Sequence, residues 1–354
     1  MLTSDFNFEL PDELIAQQPP AERGGSRLMV VDREREAVQH RRFAELPSLL
    51  RSGDLLVVND TRVFPARLIG HRLPGGGAAE CFLIRPSGEP DKWIALVHPG
   101  QRLREGARMV FGAGRAGGAG GTLHGEIVGR HFHGRRTVRL WTEDGSPVRD
   151  TLDAIGHVPL PPYIKRPDAD TDRDRYQTVY ARERGSIAAP TAGLHFTPAI
   201  LEKLAAAGVE RISITLHVGY GTFQPIRVDR IEEHEMEPEH YEVSVEAAAA
   251  LSRAKREHRR IIAVGTTSTR TLESLAIGDD GEVRAGAGET ALFIRPGHTF
   301  QLVSGLLTNF HLPQSSLLML VSALAGRERT LAAYREAVAE RYRFYSYGDA
   351  MLIL

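Results

Sequence analysis

The chain contains almost no cysteine, almost no lysine and no long apolar run. A single cysteine, Cys81, among 354 residues excludes an internal disulfide and a multi-cysteine zinc site. That usage suits a reducing compartment. The longest nearly apolar run, Leu317 to Ala325, is far shorter than the roughly 20 residues that cross a bilayer. The stretch from Asp5 to Asp12 lacks both the basic and the apolar regions of a secretory signal. A cytoplasmic protein with no membrane partner is expected. Net charge is missing too: 44 basic against 45 acidic side chains leave −1. Any contact with phosphates must therefore come from a local patch. The basic residues are 40 arginines and 4 lysines, a skew that coding bias and heat adaptation explain equally well.

What is present is ordinary for a folded chain, with 42% hydrophobic and 25% charged residues. At about 150 residues per domain, the length suggests two domains. Early on the texture is α/β, with strands expected at Ser26–Val31 and Asp54–Asn59 and a helix at Phe43–Leu50. From Val63 to Leu152 the helical period vanishes. Short β-like runs at 67–72, 79–85, 93–97, 108–111, 121–128 and 136–141 predict a small barrel or sandwich. Its Gly/Ala tract, Gly112 to Gly121, reads as a hairpin tip. After Gly156 strands alternate with helices: strands at 211–218 and 260–264, helices from Thr197–Pro198 to Gly208 and at 244–257, 268–276, 314–325 and 330–342. Such alternation implies an open parallel or mixed sheet. The expected architecture is an α/β domain made of residues 1–62 and 156–354, with a six-stranded all-β barrel, 63–155, inserted.

Several segments carry residue types suited to chemistry. Gly265, Thr266, Thr267 and Ser268 follow a β-branched strand, where a tight turn, hydroxyls and free N–H groups can hold an anion or a ribose. An N-cap cluster is the plainer alternative, and no lysine completes a phosphate-binding loop. Arg270 and Glu273 either line the same pocket or pair on the surface. His195 stands among small residues that include Thr191 and Gly193, before a capped helix. His217 sits at the carboxyl end of a strand running into Gly219, Gly221 and Thr222, where open α/β sheets place ligands. Asn309 and His311 end another strand, expected at a sheet edge. Convergence of these loops weighs more than any one of them. His234, Glu239 and His240 lie in an acidic stretch, Arg227 to Glu242, of net charge −5. Its spacing argues for a solvated loop rather than a metal site.

The barrel segment holds the basic patch: Gly100 to Trp141 has eight arginines against two glutamates. Arg130, Arg135 and Arg136 can neutralise phosphates, while Phe132 and Trp141 offer rings for stacking on bases. A screened barrel surface is the plainer alternative.

These segments resemble one family in order along nearly the whole chain, the S-adenosylmethionine:tRNA ribosyltransferase-isomerases of the queuosine pathway. The matching runs are Asp5-Phe6 with Glu9-Leu10-Pro11, Gly53 to Val63 with Pro65-Ala66-Arg67, Gly156 to Ile164, and Tyr176 to Tyr180. The stretches around His195, His217 and Gly265, Thr308 to Pro313, and Tyr342 to Met351 complete the set. One departure stands out: Met236 is followed by Glu237, where the family usually has a histidine.

The resemblance implies an α/β domain with an inserted six-stranded barrel and an unusual alkylation. S-adenosylmethionine, a co-substrate rather than a bound cofactor, gives its ribosyl part to 7-aminomethyl-7-deazaguanine at the wobble position of tRNA. Adenine and methionine leave, and the base becomes epoxyqueuosine. No metal is implied, and a monomer is expected. His195, His217 and His311 become the candidates for proton transfer. Thr266, Thr267 and Ser268 are expected to hold the donor, together with Thr191, Gly193, Gly219, Gly221, Thr222, Gly265 and Asn309. Asn59, Arg62 and Arg67, at the domain junction, are expected to position substrate. The rival readings are a methyltransferase using the same donor and a non-enzymatic RNA-binding module.

Overall fold

A nine-stranded mixed sheet and a closed six-stranded barrel share the chain in the computed structural model, which describes residues 1–35, 37–112, 121–223 and 225–354. The strands before and within the barrel are β1 (Arg27–Asp32), β2 (Ala37–Arg42), β3 (Leu55–Asn59), β4 (Thr61–Val63), β5 (Arg67–Leu73), β6 (Ala78–Pro86), β7 (Lys92–His98), β8 (Arg108–Phe111), β9 (Leu123–Arg130) and β10 (Arg135–Thr142). After it come β11 (Glu183–Ser186), β12 (Glu210–Leu216), β13 (Glu239–Val243), β14 (Ile261–Val264), β15 (Gly286–Thr290), β16 (Gly305–Asn309) and β17 (Ala350–Ile353).

The large sheet runs β15-β13-β12-β3-β14-β16-β17-β1-β2. Its centre, β12-β3-β14-β16, is parallel, and β17 lies antiparallel to β16. Central strands buried on both faces need apolar residues throughout rather than alternation. That is why β14 reads Ile261-Ile262-Ala263-Val264, buried at every position. Alternate residues feed two cores. Leu55 and Val57 pack with Phe6, Phe310 and Leu318 on one face; Leu56 and Val58 pack with Phe196, Ile200 and Val264 on the other.

The barrel closes in the order β10-β7-β6-β5-β8-β9. Leu68, Cys81, Leu83, Met109, Phe111 and Leu140 fill it, and burial pushes the Cys81 thiol up to about 12, leaving it protonated. The helix Val148–Ile155 packs Leu152 and Ile155 onto the same core. Two joints connect barrel and sheet. β4 pairs in parallel with β11, and Arg67 and His157 exchange backbone hydrogen bonds.

Several expectations need correction. Asn309 does not end an edge strand, because β17, β1 and β2 extend the sheet beyond β16. The expected helix at Phe43–Leu50 is a 3-10 turn, Phe43–Glu45, followed by a single helical turn, Leu46–Leu49. The helix expected from Ser268 starts at Gly265, so the glycine-hydroxyl run is the first helical turn rather than a loop. Part of the acidic stretch, expected as solvated loop, is β13, paired between β12 and β15. The Gly/Ala tract between Gly112 and Gly121 lies outside the described residues.

Candidate functional site

A cleft of about 460 Å³ opens where the parallel strands β14 and β16 end and where the chain leaves β12. Carboxyl ends of parallel strands leave a crevice because successive connections diverge to opposite faces of the sheet. At the end of β14, Gly265 takes φ of +88°, a left-handed turn that swings the chain directly into the helix Gly265–Ser274. Thr266 and Thr267 thus line the cleft together with free N–H groups of a helix start, which favour negative charge. Ser268, one residue on, donates to the Val264 carbonyl (2.7 Å) and is fully buried in the helix, away from the cleft.

β16 delivers Thr308, Asn309 and His311 to the same space. His311 Nε2 shares a 2.8 Å hydrogen bond with Thr308 Oγ1. Burial pushes the His311 pKa down to about 3, so the imidazole is neutral at physiological pH. Asn309 Nδ2 donates to the Tyr345 carbonyl (2.8 Å), while its buried Oδ1 faces His195, whose protonated form it favours.

Tyrosines form the facing wall. Tyr163 and Tyr345 have ring centroids 4.0 Å apart, and Tyr163 shares a 2.5 Å hydrogen bond with Ser346 Oγ. The hydroxyls of Tyr176 and Tyr345 are buried and unpartnered. Burial raises the pKa of all three tyrosines, which keeps them neutral donors. Tyr345 and Gln314, both lining the cleft, hold positive φ of 73° and 58°. Orphaned buried groups and strained backbone beside one cavity mark a site that a ligand completes.

The candidates divide between this cleft and other places. Thr191, Thr222, Gly265, Thr266, Thr267, Asn309 and His311 line it. His195 does not. It stacks on Phe43 (5.0 Å) behind the sheet end, and Nδ1 shares a 2.9 Å hydrogen bond with Ser26 Oγ. Burial pushes its pKa down to about 4 against a smaller opposing pull from Asn309. His217 lies at the joint between the domains. Its Nδ1 bonds Thr61 Oγ1 at 2.8 Å, and its ring covers Gly185 so closely that a Cβ there would fall 2.6 Å away. Burial and the neighbouring His240 lower its pKa.

Asn59 is fully buried and ties strands together. Its Nδ2 donates to the Leu216 carbonyl, and its Oδ1 accepts from the N–H groups of Thr61 and Leu216. Gly193 packs on Tyr180, where any Cβ would fall 2.3 Å from the hydroxyl. Arg67 forms a forked pair with Glu80 across the barrel wall (2.7 and 3.0 Å). Arg62 borders a separate hollow of about 190 Å³ beside Arg184, at the joint between barrel and sheet. Arg135 pairs with Glu237 of the other domain. Arg136 is buried, and its guanidinium donates to the Arg135 carbonyl at 2.9 Å. Arg130 is exposed on the barrel rim.

Neither expectation for Arg270 and Glu273 describes them. Arg270 forms a buried ion pair with Glu239, whose other oxygen accepts from Gly219 N (2.8 Å) and Thr222 Oγ1 (3.1 Å). This pair fixes the loop that brings Thr222 to the cleft. Glu273 accepts from the backbone N–H groups of Gln301, Leu302 and Val303. Among the described residues no group of histidines, cysteines and acids is arranged to hold a metal ion. None of their helices is long and apolar enough to cross a membrane.

The cleft residues that sequence reasoning missed are Tyr163, Tyr176, Thr308, Tyr345 and Ser346. All stand in the runs that carry the family resemblance, yet a tyrosine in a loop looks like core until its hydroxyl is found without a partner.

Comparison with known proteins agrees with this geometry. The sequence model of the family described as queuosine biosynthesis protein matches residues 3–353. The S-adenosylmethionine:tRNA ribosyltransferase-isomerase of Heliobacterium modesticaldum is 54% identical over 350 residues, covering 99% of this chain and 98% of that one. The enzyme of the same name from an Anaeromyxobacter species is 52% identical over 355 residues, 100% of this chain and 99% of that one. The crystal structure of the S-adenosylmethionine tRNA ribosyltransferase of Thermotoga maritima aligns with a TM-score of 0.55 at 39% identity, covering 99% of this chain and all of that one. The chain belongs to the queuosine biosynthesis protein family.

Proposed function

We propose that this protein transfers and isomerises the ribosyl group of S-adenosylmethionine onto 7-aminomethyl-7-deazaguanine at the wobble position of tRNA. The products are epoxyqueuosine in the tRNA, free adenine and methionine. The observation that carries this reading is the cleft itself, with a neutral histidine, buried unpartnered tyrosine hydroxyls and a helix start at the ends of parallel strands, in a chain over half identical to enzymes of that name.

The reaction needs a base, groups that hold adenine as it departs, and a water-poor site for a sulfonium. The sulfonium acidifies the adjacent 5′ C–H bonds, so a neutral base can take a proton there. His311 fits that part best, since of the three candidate histidines it alone lines the cleft. With Nε2–H donated to Thr308, the Nδ1 lone pair is free to accept the proton. The buried Tyr176 and Tyr345 hydroxyls suit acceptors of the ribose or purine. The helix start at Gly265–Thr267 suits the methionyl carboxylate. The Tyr163 and Tyr345 rings suit the sulfonium, because aromatic faces attract cations that have lost their water. The tRNA amine, unprotonated, then attacks the opened sugar, and an oxygen closes the epoxide as methionine leaves. His195 backs Asn309 from behind, and His217 holds the domain joint through Thr61.

Incubation with tRNA carrying the aminomethyl base and S-adenosylmethionine tests the reading. Stoichiometric adenine and methionine, with the matching mass gain on the base, are expected. S-adenosylhomocysteine in their place would convert the protein into a methyltransferase, and an intact donor would remove the enzyme reading altogether.

A further inference from the structure

Phe132 is 89% exposed, the most of any large hydrophobic side chain among the described residues. Burying so large an apolar ring against a partner is favourable. Phe132 stands at the tip of the β9–β10 hairpin of the barrel, in a 3-10 turn, Phe132–Gly134. The turn is tightly specified. His133 and Gly134 take φ of +57° and +78°, the His131 N–H donates to the Arg135 carbonyl (2.9 Å), and the His131 ring bonds Thr137 Oγ1 (2.7 Å). The ring is therefore presented by an ordered hairpin.

Its surroundings point to RNA. Arg130, immediately before the tip, shares an open hollow of about 540 Å³ with Arg104, Glu105 and the buried Arg136. Three arginines against one glutamate leave the hollow cationic, and no carboxylate is paired with Arg104 or Arg130 among the described residues. On the other side of the tip, Arg135 is locked to Glu237. Glu237 in turn packs on Gly221, where a Cβ would fall 3.1 Å from its own Cβ, and the next residue, Thr222, lines the cleft. The finger is thus anchored to the cleft rim by consecutive contacts. Trp141, the other candidate ring, is occupied: His124 stacks on it at 5.6 Å and the Arg139 guanidinium lies 5.3 Å from its centre.

We propose that Phe132 is a stacking finger for an unpaired base of the RNA substrate, flanking the nucleotide that enters the cleft, with Arg104 and Arg130 taking adjacent phosphates. The proposal rests on the reading of the substrate as tRNA. Unpaired bases of loops stack on exposed aromatic rings, whereas paired bases present only their edges.

The test uses the full protein and an anticodon stem-loop RNA carrying the aminomethyl base. Phe132→Ala is expected to raise the RNA KM about tenfold, the effect of losing one stacked base, with kcat and the donor KM little changed. Phe132→Trp should restore the RNA KM, and its added fluorescence over the two native tryptophans should be quenched by RNA at concentrations near that KM. An unaltered RNA KM in Phe132→Ala, or equal weakening toward a fully paired duplex of the same length, overturns the finger. Failure of the wild-type protein to act on this RNA removes the proposed function instead. The finger is then judged by whether Phe132→Ala weakens binding of the same stem-loop.

Discussion

The cleft and the barrel rim handle polar groups in opposite ways. In the cleft they are buried and neutral: His311 bonds Thr308 Oγ1, and the Tyr176 and Tyr345 hydroxyls are unpartnered. On the rim they are charged and solvated, as with Arg104 and Arg130 beside an exposed phenylalanine. A site that must generate a carbanion beside a sulfonium needs low polarity and preorganised donors. A surface that meets a polyanion needs mobile charge whose strength depends on salt. On the proposed reading, one chain divides these tasks between two folds.

The contrast is most easily broken at His311. His311→Gln is expected to lower turnover by about 10²-fold or more if it moves the proton, with tRNA affinity unchanged in a filter-binding assay. If His217→Ala falls as far, the proton-transfer role does not belong to the cleft. Next in size, Tyr345→Phe should raise the donor KM about tenfold, as loss of one buried hydrogen bond implies, and leave the RNA KM alone. A parallel rise in both would mean that the two regions are not separable.

On the rim, Arg104→Ala and Arg130→Ala should each weaken RNA binding and reduce the salt slope by roughly one, measured by titration between low and moderate salt. Arg135 and Arg136 are poorer probes of RNA contact. One is committed to Glu237 and the other to backbone carbonyls, so changing them damages the joint and the barrel.

A separate effect concerns acid stability. The folded-state pKa of His195 is held near 4 and that of His311 near 3, both below the unfolded value near 6.5. The unfolded chain therefore binds more protons as pH falls through 6.5, and stability is lost from there downward. At pH 5 the loss is about 2 kcal/mol for each histidine, and urea unfolding at pH 7 and pH 5 measures it. His195→Gln should flatten the dependence without the loss of turnover expected for His311→Gln.

Much of the fold was legible because both periods were clean. The barrel strands alternate, with Val138 and Leu140 inward and Arg139 outward, and β14 is apolar at every position. β13 was hidden: the acidic run around it resembles solvated loop, and only the pairing of Glu239 with Arg270, 31 residues away, explains its burial. The site was half legible for a similar reason. The Gly265–Thr267 turn and the β16 terminus can be found by their place after apolar strands. His217 shares that placement and yet serves the joint between barrel and sheet, because a strand end points a side chain into a crevice or behind it according to its neighbours. Arg135 and Arg136 looked like a phosphate patch because sequence counts charge without its partners.

Local chemistry along the chain thus determined that there would be a barrel, an open sheet and hydroxyl- and histidine-bearing loops at strand ends, since periodicity and turn residues act over a few positions. Which of those loops share one cavity, which histidine faces it and which arginines remain free was decided by tertiary structure. Burial, and the pKa shifts and orphaned hydrogen bonds that follow from it, depends on atoms brought together from distant parts of the chain.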